Sequence, residues 1–564
     1  MTSLTGISAS SGAALGQFFL LTTDIPVASP TQSQLGAEQE SANLNQAIAV
    51  VGRDLKSRAD RTEGELHEIL VAIAEMATDS AIAEEAISFI EKGHTASYAI
   101  LKATEVFQDL LLSSGGYLAE RVSDVVNIRD RVLCEIAGIG YPEIPQFDQP
   151  VVLIAQDLSP ADTADLETGM ILAIVTAGGG PTSHTAIIAR SHGIAAVVAC
   201  AGVIELAKNS PRSLVAVDAI VGCVVFNPSP ELQDEIKALL TKIELRKSRV
   251  VARADGSYRT SDGVKIPIYA NIGRVEDAAA AVIAGADGVG LLRTELLYLD
   301  RSDAPTLQEQ TAIYAEIFKT FGGQRVIIRT LDAGADKPMA FIKFDQEPNP
   351  ALGVRGYRTI DQHELLLRTQ LEAIAAAAKE CASEIWVMAP MITFPSEAAA
   401  FIKMAREYGL QKVGVMIEVP ATIFHIDELT KICDFVSIGT NDLGQYLHAA
   451  DRESAPLAAF NDPWQPALLR AIKLTADAGL SNNCPVSVCG EAASNPALAC
   501  VLIGSGVTSL SCGVASLSDV AAAISAQSSF VLKAAAAAAL SAPDATSARE
   551  SARTAMPALL QLGL

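Results

Sequence analysis

The sequence predicts a multidomain α/β protein that ends in a TIM-type (β/α)8 barrel. Three observations carry this. The chain has 564 residues, too many for one ordinary core. Its second half holds eight apolar runs separated by helical stretches, the alternation that a barrel of parallel strands requires. Its first half changes character twice, from a short strand-like start to helical periodicity and then to strand–turn alternation.

Residues 1–22 carry two short apolar runs with a Ser/Gly turn between them, a hairpin-like start. In the stretch that follows, Leu44, Ile48, Val51 and Leu55 recur at helical spacing, as do Leu66, Leu70, Ile73 and Met76. Residues 23–141 therefore read as a bundle of about four or five helices. After "YPEIPQF" the runs "PVVLIAQDL" and "GMILAIVTAGGG" read as buried strands. Residues 142–228 thus form a small α/β domain, which residues 1–22 complete, and the bundle is an insertion in it. Residues 229–250 read as one charged linker helix. The barrel occupies 251–533, with strand-like runs at 265–271, 288–295, 325–332, 385–390, 412–418, 435–442, 486–491 and 509–513. Stretches such as "VEDAAAAVIAG" and "EAAAFIKMAREYG" supply the helices between them. Residues 534–564, an alanine run followed by Ser/Ala-rich sequence, stand apart as a tail, either helical or partly disordered.

Composition narrows the function. Half the residues are apolar, enough for a large core, and the net charge is −23. An acidic surface argues against nucleic acid and suits a basic protein partner. Nine cysteines without a C-x-x-C pair argue against a disulfide framework and against a zinc site. A reducing cytosol is the expected compartment. The "FFLL" at 18–21 has no Lys or Arg before it, the first being Arg53, so it lacks the basic flank of a signal peptide. No apolar stretch is long enough for a membrane span.

In this type of barrel the chemistry sits at the C-terminal ends of the strands, and those ends are polar here. The second strand ends in Arg293-Thr294-Glu295 and the third in Arg329-Thr330-Leu331-Asp332. The fifth ends in Glu418, the sixth in Asn441-Asp442 and the seventh in Cys489-Gly490-Glu491, with Arg452 in the loop after the sixth. Arginines grip phosphate through charge-assisted, bidentate bonds. Two carboxylates with no histidine or cysteine pattern beside them suit a hard cation such as Mg²⁺. The rim therefore describes a site for a small phosphorylated, carboxylate-bearing substrate. Cys489 is either small core filling or, as a thiol still protonated near neutral pH, a proton donor to a carbanion or enolate. Its position at the rim favours the second role.

A second constellation is "AGGGPTSHTAIIARSHG", 177–193. Ser183 or Thr182 is a suitable N-cap, which puts His184 in the first turn of a helix. There free backbone N–H groups and the helix dipole favour phosphate, and the glycines let the backbone approach it. A neutral imidazole is a competent phosphoryl acceptor. Taken alone, the motif also permits a capping or packed histidine.

"GGGPTSHTAIIARSHGI", "GVGLLRTELLYLDR", "RTLDAGADK", "NPALGVRGYR", "GVMIEVP", "SIGTNDLGQY" and "VCGEAAS" resemble Enzyme I of the bacterial sugar phosphotransferase system, the phosphoenolpyruvate–protein phosphotransferases. The resemblance runs from about residue 6, in "GISASSGAALG", to about residue 525, in the family's domain order. It implies that phosphoenolpyruvate (PEP) and Mg²⁺ bind the barrel rim and that His184 takes the phosphoryl group. The small domain then swivels and passes the group to the histidine phosphocarrier protein HPr, docked on the helical insertion. By motif match it implies that Arg293, Arg329 and Arg452 hold PEP and that Asn441 and Asp442 meet its carboxylate. Glu418 and Asp442 bind Mg²⁺, and Cys489 protonates the enolate. Lys337 and Arg355 match less sharply defined substrate-binding positions. It further implies a cytoplasmic homodimer joined through the barrel.

Two departures stand out. Ala177 and Pro181 lie where many members carry Asp and Arg, and Pro181 has no backbone N–H to offer. In "ILVAIAEMATD", 69–79, no histidine precedes the acidic turn. Glu63, Glu65 and Glu68 either face a basic carrier or form a solvated helix face. Two rivals follow from the same motifs. One is another PEP-utilising enzyme, a PEP synthase or a dikinase, which needs an ATP-binding domain for which the residues before 142 leave no room. The other is a non-catalytic PEP-sensing regulator, disfavoured by the intact Arg293, Arg329, Glu418, Asp442 and Cys489.

Overall fold

In a computed structural model of the chain, the residues described are 2–22, 25–26, 28, 32–62, 65–114, 122–163, 166, 169–179, 184–251, 257–298, 301, 303–335, 339–344, 347–452, 457 and 459–564. The side chains of 65–69, 112–114, 123, 184, 187, 191 and 246–251 are excepted. The chain divides into two compact units, Met1–Leu240 and Thr241–Leu564.

The first unit holds an eight-stranded sheet of β1 (Thr2–Thr5), β2 (Ile7–Ser10), β3 (Ala13–Leu21), β4 (Val151–Ala155), β5 (Ile171–Thr176), β6 (Ala195–Val198), β7 (Leu214–Asp218) and β8 (Cys223–Phe226). Its strand order is β1-β8-β7-β3-β4-β5-β6-β2. The N-terminal residues do not form a hairpin. β1 pairs antiparallel with β8, β2 antiparallel with β6, and β3 lies between β4 and β7. The strands on either side of the Ser/Gly turn, β2 and β3, thus pair elsewhere, and Gly6 is the one residue between β1 and β2, at opposite edges of the sheet. A Cβ on Gly6 would stand 2.6 Å from Val197 Cγ1 and from the Val198 carbonyl oxygen. Glycine lets the chain step from edge to edge where any side chain would collide. The alternation along β4 and β5 feeds two cores. Val152, Ile154, Ala173 and Val175 pack with Val203 and Ala207 of the helix Val203–Asn209. Leu153, Ala155 and Ile174 pack with Ala186 and Ala189 of the helix His184–Ser191.

Five described helices lie between β3 and β4: Ala37–Ala59, Glu65–Ala77, Ser80–Glu91, Ala96–Ser114 and Val122–Ile136. They enclose their own core, in which Leu44, Ile48, Val51, Leu55, Leu70 and Ile73 are buried and Met76 is packed at the edge. The side chain of Leu66 lies outside the described residues. The charged stretch 229–250 is a single helix, Pro230–Val251, which runs across the division between the units.

The second unit is a closed barrel of eight parallel strands: β9 (Ile268–Ile272), β10 (Gly288–Arg293), β11 (Arg325–Arg329), β12 (Glu384–Ala389), β13 (Lys412–Ile417), β14 (Val436–Ile438), β15 (Val486–Val488) and β16 (Ser509–Gly513). β16 closes onto β9. Each coincides with one of the eight apolar runs. Alternate residues point to opposite faces of a strand, and the two faces here are different in kind. Val326, Ile328, Val413, Val415, Val436 and Ile438 join the large core under the helices. Leu291, Ile327, Trp386, Met388, Met416, Phe435 and Cys489 form a separate column inside the barrel.

The 534–564 segment, set apart by composition as a tail, belongs to the helical layer of the barrel. It forms most of the helix Ser529–Leu540 together with Ala545–Ala555 and Ala558–Leu562. Ala535, Ala539, Ala548, Ala552, Met556 and Leu559 are buried in the barrel's outer core. Alanines carry little apolar area each, but they let a helix lie close to its neighbours, so a run of them reads weakly in sequence and packs well.

Candidate active site

The inward-facing ends of the barrel strands bring the expected residues together. Arg293 ends β10, Arg329 ends β11, and Glu418 directly follows β13. Asn441 and Asp442 open the helix Thr440–His448 after β14, and Cys489 follows β15. Glu418 is fully buried, Arg329 is 5% exposed, Asp442 6% and Cys489 1%. Ionised groups this deep persist only when paired.

The pairing is a chain of alternating charges. Arg329 meets Glu295 through Nη2 and Asp332 through Nη1 at 3.0 Å. Arg355, also fully buried, forks between two acids. Its Nε and Nη2 donate to Asp332 at 3.2 and 3.1 Å, and its Nη1 and Nη2 donate to Asp442 at 3.0 Å each. Arg452 reaches the same Asp442 at 3.4 Å and is held by its own backbone N–H on Gln445. Burial opposes the charge on Arg329, yet Glu295, Asp332 and Glu418 raise its pKa above the ordinary arginine value. Arg293 is half-buried and makes no ion pair among the described residues.

Glu418 is the anomaly in this chain of charges. One oxygen accepts from the Met391 backbone N–H at 2.6 Å; the other is buried without a hydrogen-bond partner. Met391 holds a left-handed φ of 57°, a conformation that a methionine adopts only when its surroundings impose it. Burial first, and then the charges of Asp442 and Asp332, push the Glu418 carboxyl up to about 7. Asp442 and Asp332 raise it by more than Arg329 and Arg355 lower it. The unpartnered Glu418 oxygen is a donor of the kind a hard cation takes, while both Asp442 oxygens are engaged by Arg355. Among the described residues no group of three or more His, Cys, Asp or Glu is gathered as a metal site.

Cys489 lies beneath this layer. Its Sγ donates to the Ile438 carbonyl at 3.5 Å. Burial pushes the thiol's pKa up, opposed by the Ser437 hydroxyl and by Arg329 and Arg293. It is therefore a neutral thiol near pH 7. Asn271, at the end of β9, donates to the Cys489 carbonyl oxygen at 2.9 Å. Gly490 lets the rim close: a Cβ there would stand 1.9 Å from Thr440 Oγ1. Glu491 N–H then reaches Asn441 Oδ1 at 3.1 Å.

His184 is the first residue of the helix His184–Ser191, in the first unit. The next residue, Thr185, is buried and donates to Asp157 Oδ1 at 3.0 Å, fixing the helix start to the loop after β4. The side chain of His184 lies outside the described residues, as do Pro181, Thr182, Ser183, Lys337, Glu63 and the side chains of Glu65 and Glu68. Sequence reasoning did not single out Asn271 at its strand end, and it gave no role to Glu295 or Asp332. The polar residue that closes each of those apolar runs was the available signal. Ser437 and Ser487 carry no such signal, because only the register of β14 against β15 brings them together.

Among the described residues no single helix is long and apolar enough to cross a membrane. All nine cysteines are free. Residues 5–121 match the PEP-utilising enzyme, N-terminal family. Residues 147–222 match the mobile domain family of PEP-utilising enzymes, and 247–529 their PEP-binding domain family. The phosphoenolpyruvate-protein phosphotransferase of Streptomyces coelicolor is 43% identical over 564 residues, 99% of this chain and 99% of its own length. The protein of that name from Haloferax volcanii is 35% identical over 86% of this chain and 86% of its own. That from Geobacillus stearothermophilus is 34% identical over 91% of each.

Proposed function

The chain belongs to the phosphoenolpyruvate-protein phosphotransferase family, Enzyme I, and it moves the phosphoryl group of PEP to protein; from that premise we propose which of its residues do so. The carrying observation is the buried rim, where Arg329, Glu418, Asp442 and Cys489 share one lumen. Phosphoryl transfer requires positioning and charge neutralisation more than covalent machinery, and this rim is built from charge.

Arg293, Arg329 and Arg452 hold the phosphate and carboxylate of PEP, with Lys337 as a further cation and Asn441 at the carboxylate. Among the described residues Arg293 pairs with no acid, so it has none to release. Arg355 acts one step removed, by holding Asp332 and Asp442 in place. Glu418 and Asp442 hold Mg²⁺, which when bound neutralises charge on the phosphoryl oxygens. His184 accepts the phosphoryl group, in the first turn of a helix whose free N–H groups favour an anion. Cys489, a neutral thiol, delivers its proton to C3 of the departing enolate and so makes pyruvate. His184 then passes the group to HPr on the helical insertion, in a cytoplasmic enzyme that pairs through its barrel. The net charge of −23 supports a basic carrier.

Incubation of the purified chain with radiolabelled PEP and Mg²⁺ is expected to place acid-labile label on His184 and to leave His184→Asn unlabelled. Label on another residue would overturn the assignment.

A further inference from the structure

We propose that Asn271 is the positioning residue of the acid: its side-chain amide fixes the direction in which the Cys489 thiol points. The inference rests on Cys489 being the acid that protonates the enolate, and it adds the group that aims it.

The need follows from where Cys489 stands. β15 ends at Val488, so Cys489 is the first residue past the strand. The direction of its Cα–Cβ bond follows from where its own N–H and C=O are held. The N–H donates to the Ile438 carbonyl at 3.1 Å, on the β14 side. On the other side the Cys489 carbonyl accepts from a side chain, Asn271 Nδ2, at 2.9 Å. Asn271 belongs to β9, two strands away beyond β16. The same Nδ2 donates to the Ser511 carbonyl on β16 at 3.3 Å. One amide therefore ties three strands together at the rim, and it is the side-chain anchor on the Cys489 backbone.

The amide is itself held in one orientation. Ile268, Ala270 and Ile272 face the outer core, so Asn271 alternates to the lumen. There the fully buried Ser511 donates through Oγ to Asn271 Oδ1 at 2.6 Å, which leaves the nitrogen facing the two carbonyls. Turned over, the amide would set its oxygen against two carbonyl oxygens with nothing to donate. Gly290, on the neighbouring β10, keeps the space open: a Cβ there would collide with Cβ and Oγ of Ser511.

The chemistry needs this aim. The Cys489 S–H bond breaks as the C3–H bond of pyruvate forms, and the enolate oxygen becomes the carbonyl. The enolate is planar, so a thiol held in one direction reaches C3 from one face only and makes the methyl group stereospecifically. A thiol free to swing, or an enolate left to take its proton from water, is protonated on both faces. Misplacing a reacting group by about 1 Å costs on the order of 100-fold in rate.

The test is single-turnover conversion of (Z)-[3-³H]PEP in ²H₂O by the full-length enzyme with Mg²⁺. Pyruvate is trapped at once as lactate, and its methyl group, which carries all three hydrogen isotopes, is analysed for chirality. The unaltered enzyme should give one configuration. Asn271→Ala is expected to slow pyruvate formation by about 10-fold or more and to give largely racemic methyl. Its affinity for PEP, measured in the His184→Asn background, should stay near that of the parent. Ser511→Ala, which frees the amide to turn, should move rate and chirality the same way, and it serves if Asn271→Ala does not fold. If the methyl stays chiral in both variants, whatever the rate, while Cys489→Ala gives slow and racemic product, Asn271 only braces the barrel and the acid stands. If Cys489→Ala makes chiral pyruvate at the normal rate, or the unaltered enzyme makes racemic pyruvate, the acid assignment falls and the positioning role with it.

Discussion

At the scale of single residues, two side chains carry most of the consequence. Arg355 is fully buried and compensates Asp332 and Asp442 at once. A lysine in its place offers one point charge instead of a planar fork. Arg355→Lys is therefore expected to destabilise the barrel by about 3–5 kcal/mol and to raise the KM for PEP, as read by denaturant unfolding and steady-state kinetics. Unchanged stability would mean that Asp332 and Asp442 are not both ionised. Cys489 gives a pH signature. Its folded pKa is raised by burial above a starting value of 9.0. The proton that its proposed role requires is therefore present throughout the neutral range and is lost only as pH rises through that raised value. The pH profile of pyruvate formation should show no alkaline limb below about pH 9 that disappears in Cys489→Ser. A limb near pH 8 that the substitution abolishes would show a depressed thiol instead.

At the scale of elements, the barrel strands are legible because their two faces carry different residues. Val326 and Ile328 are aliphatic toward the helices, Ile327 fills the lumen, and Arg329 then ends the run in charge. The rim residues stand out for the same reason, since each follows an apolar run at the end where this fold exposes side chains to a ligand. What sequence does not reveal depends on partners far along the chain. The hairpin reading of 1–22 fails because the strands flanking the Ser/Gly turn, β2 and β3, pair with β6 and with β4 and β7, strands far along the chain. That Arg355 is held between two acids is not readable from the sequence, because Asp332 and Asp442 come to it from distant stretches of the chain. The C-terminal helices read as a tail because alanine is a weak hydrophobic signal, although Met556 is 0% and Leu559 1% exposed. If that packing is right, Met556→Ala should cost about 2–5 kcal/mol of barrel stability, measured by urea unfolding. A change within about 0.5 kcal/mol, as for a surface position, would return these helices to the status of a tail.

At the scale of the whole molecule, the proposed donor site and the proposed acceptor lie in different compact units. The rim belongs to Thr241–Leu564 and His184 to Met1–Leu240. Each unit has its own hydrophobic core, so each is expected to fold when expressed alone. Neither should complete the reaction. The barrel unit should bind PEP with Mg²⁺ and take no label, because it lacks His184. The N-terminal unit should take no label from PEP, because the arginines and acids that activate the phosphate are absent. It should nonetheless accept label from an already phosphorylated basic carrier, since in the proposed transfer that exchange uses only His184 and the helical insertion. Label passing from PEP to isolated 1–240 would show that His184 needs no rim. Failure with every phosphorylated carrier from the same cell, by a fragment shown to be folded, would remove the helical insertion as the docking surface. Those two results bear on different halves of the mechanism, so splitting the chain tests the donor and the delivery separately.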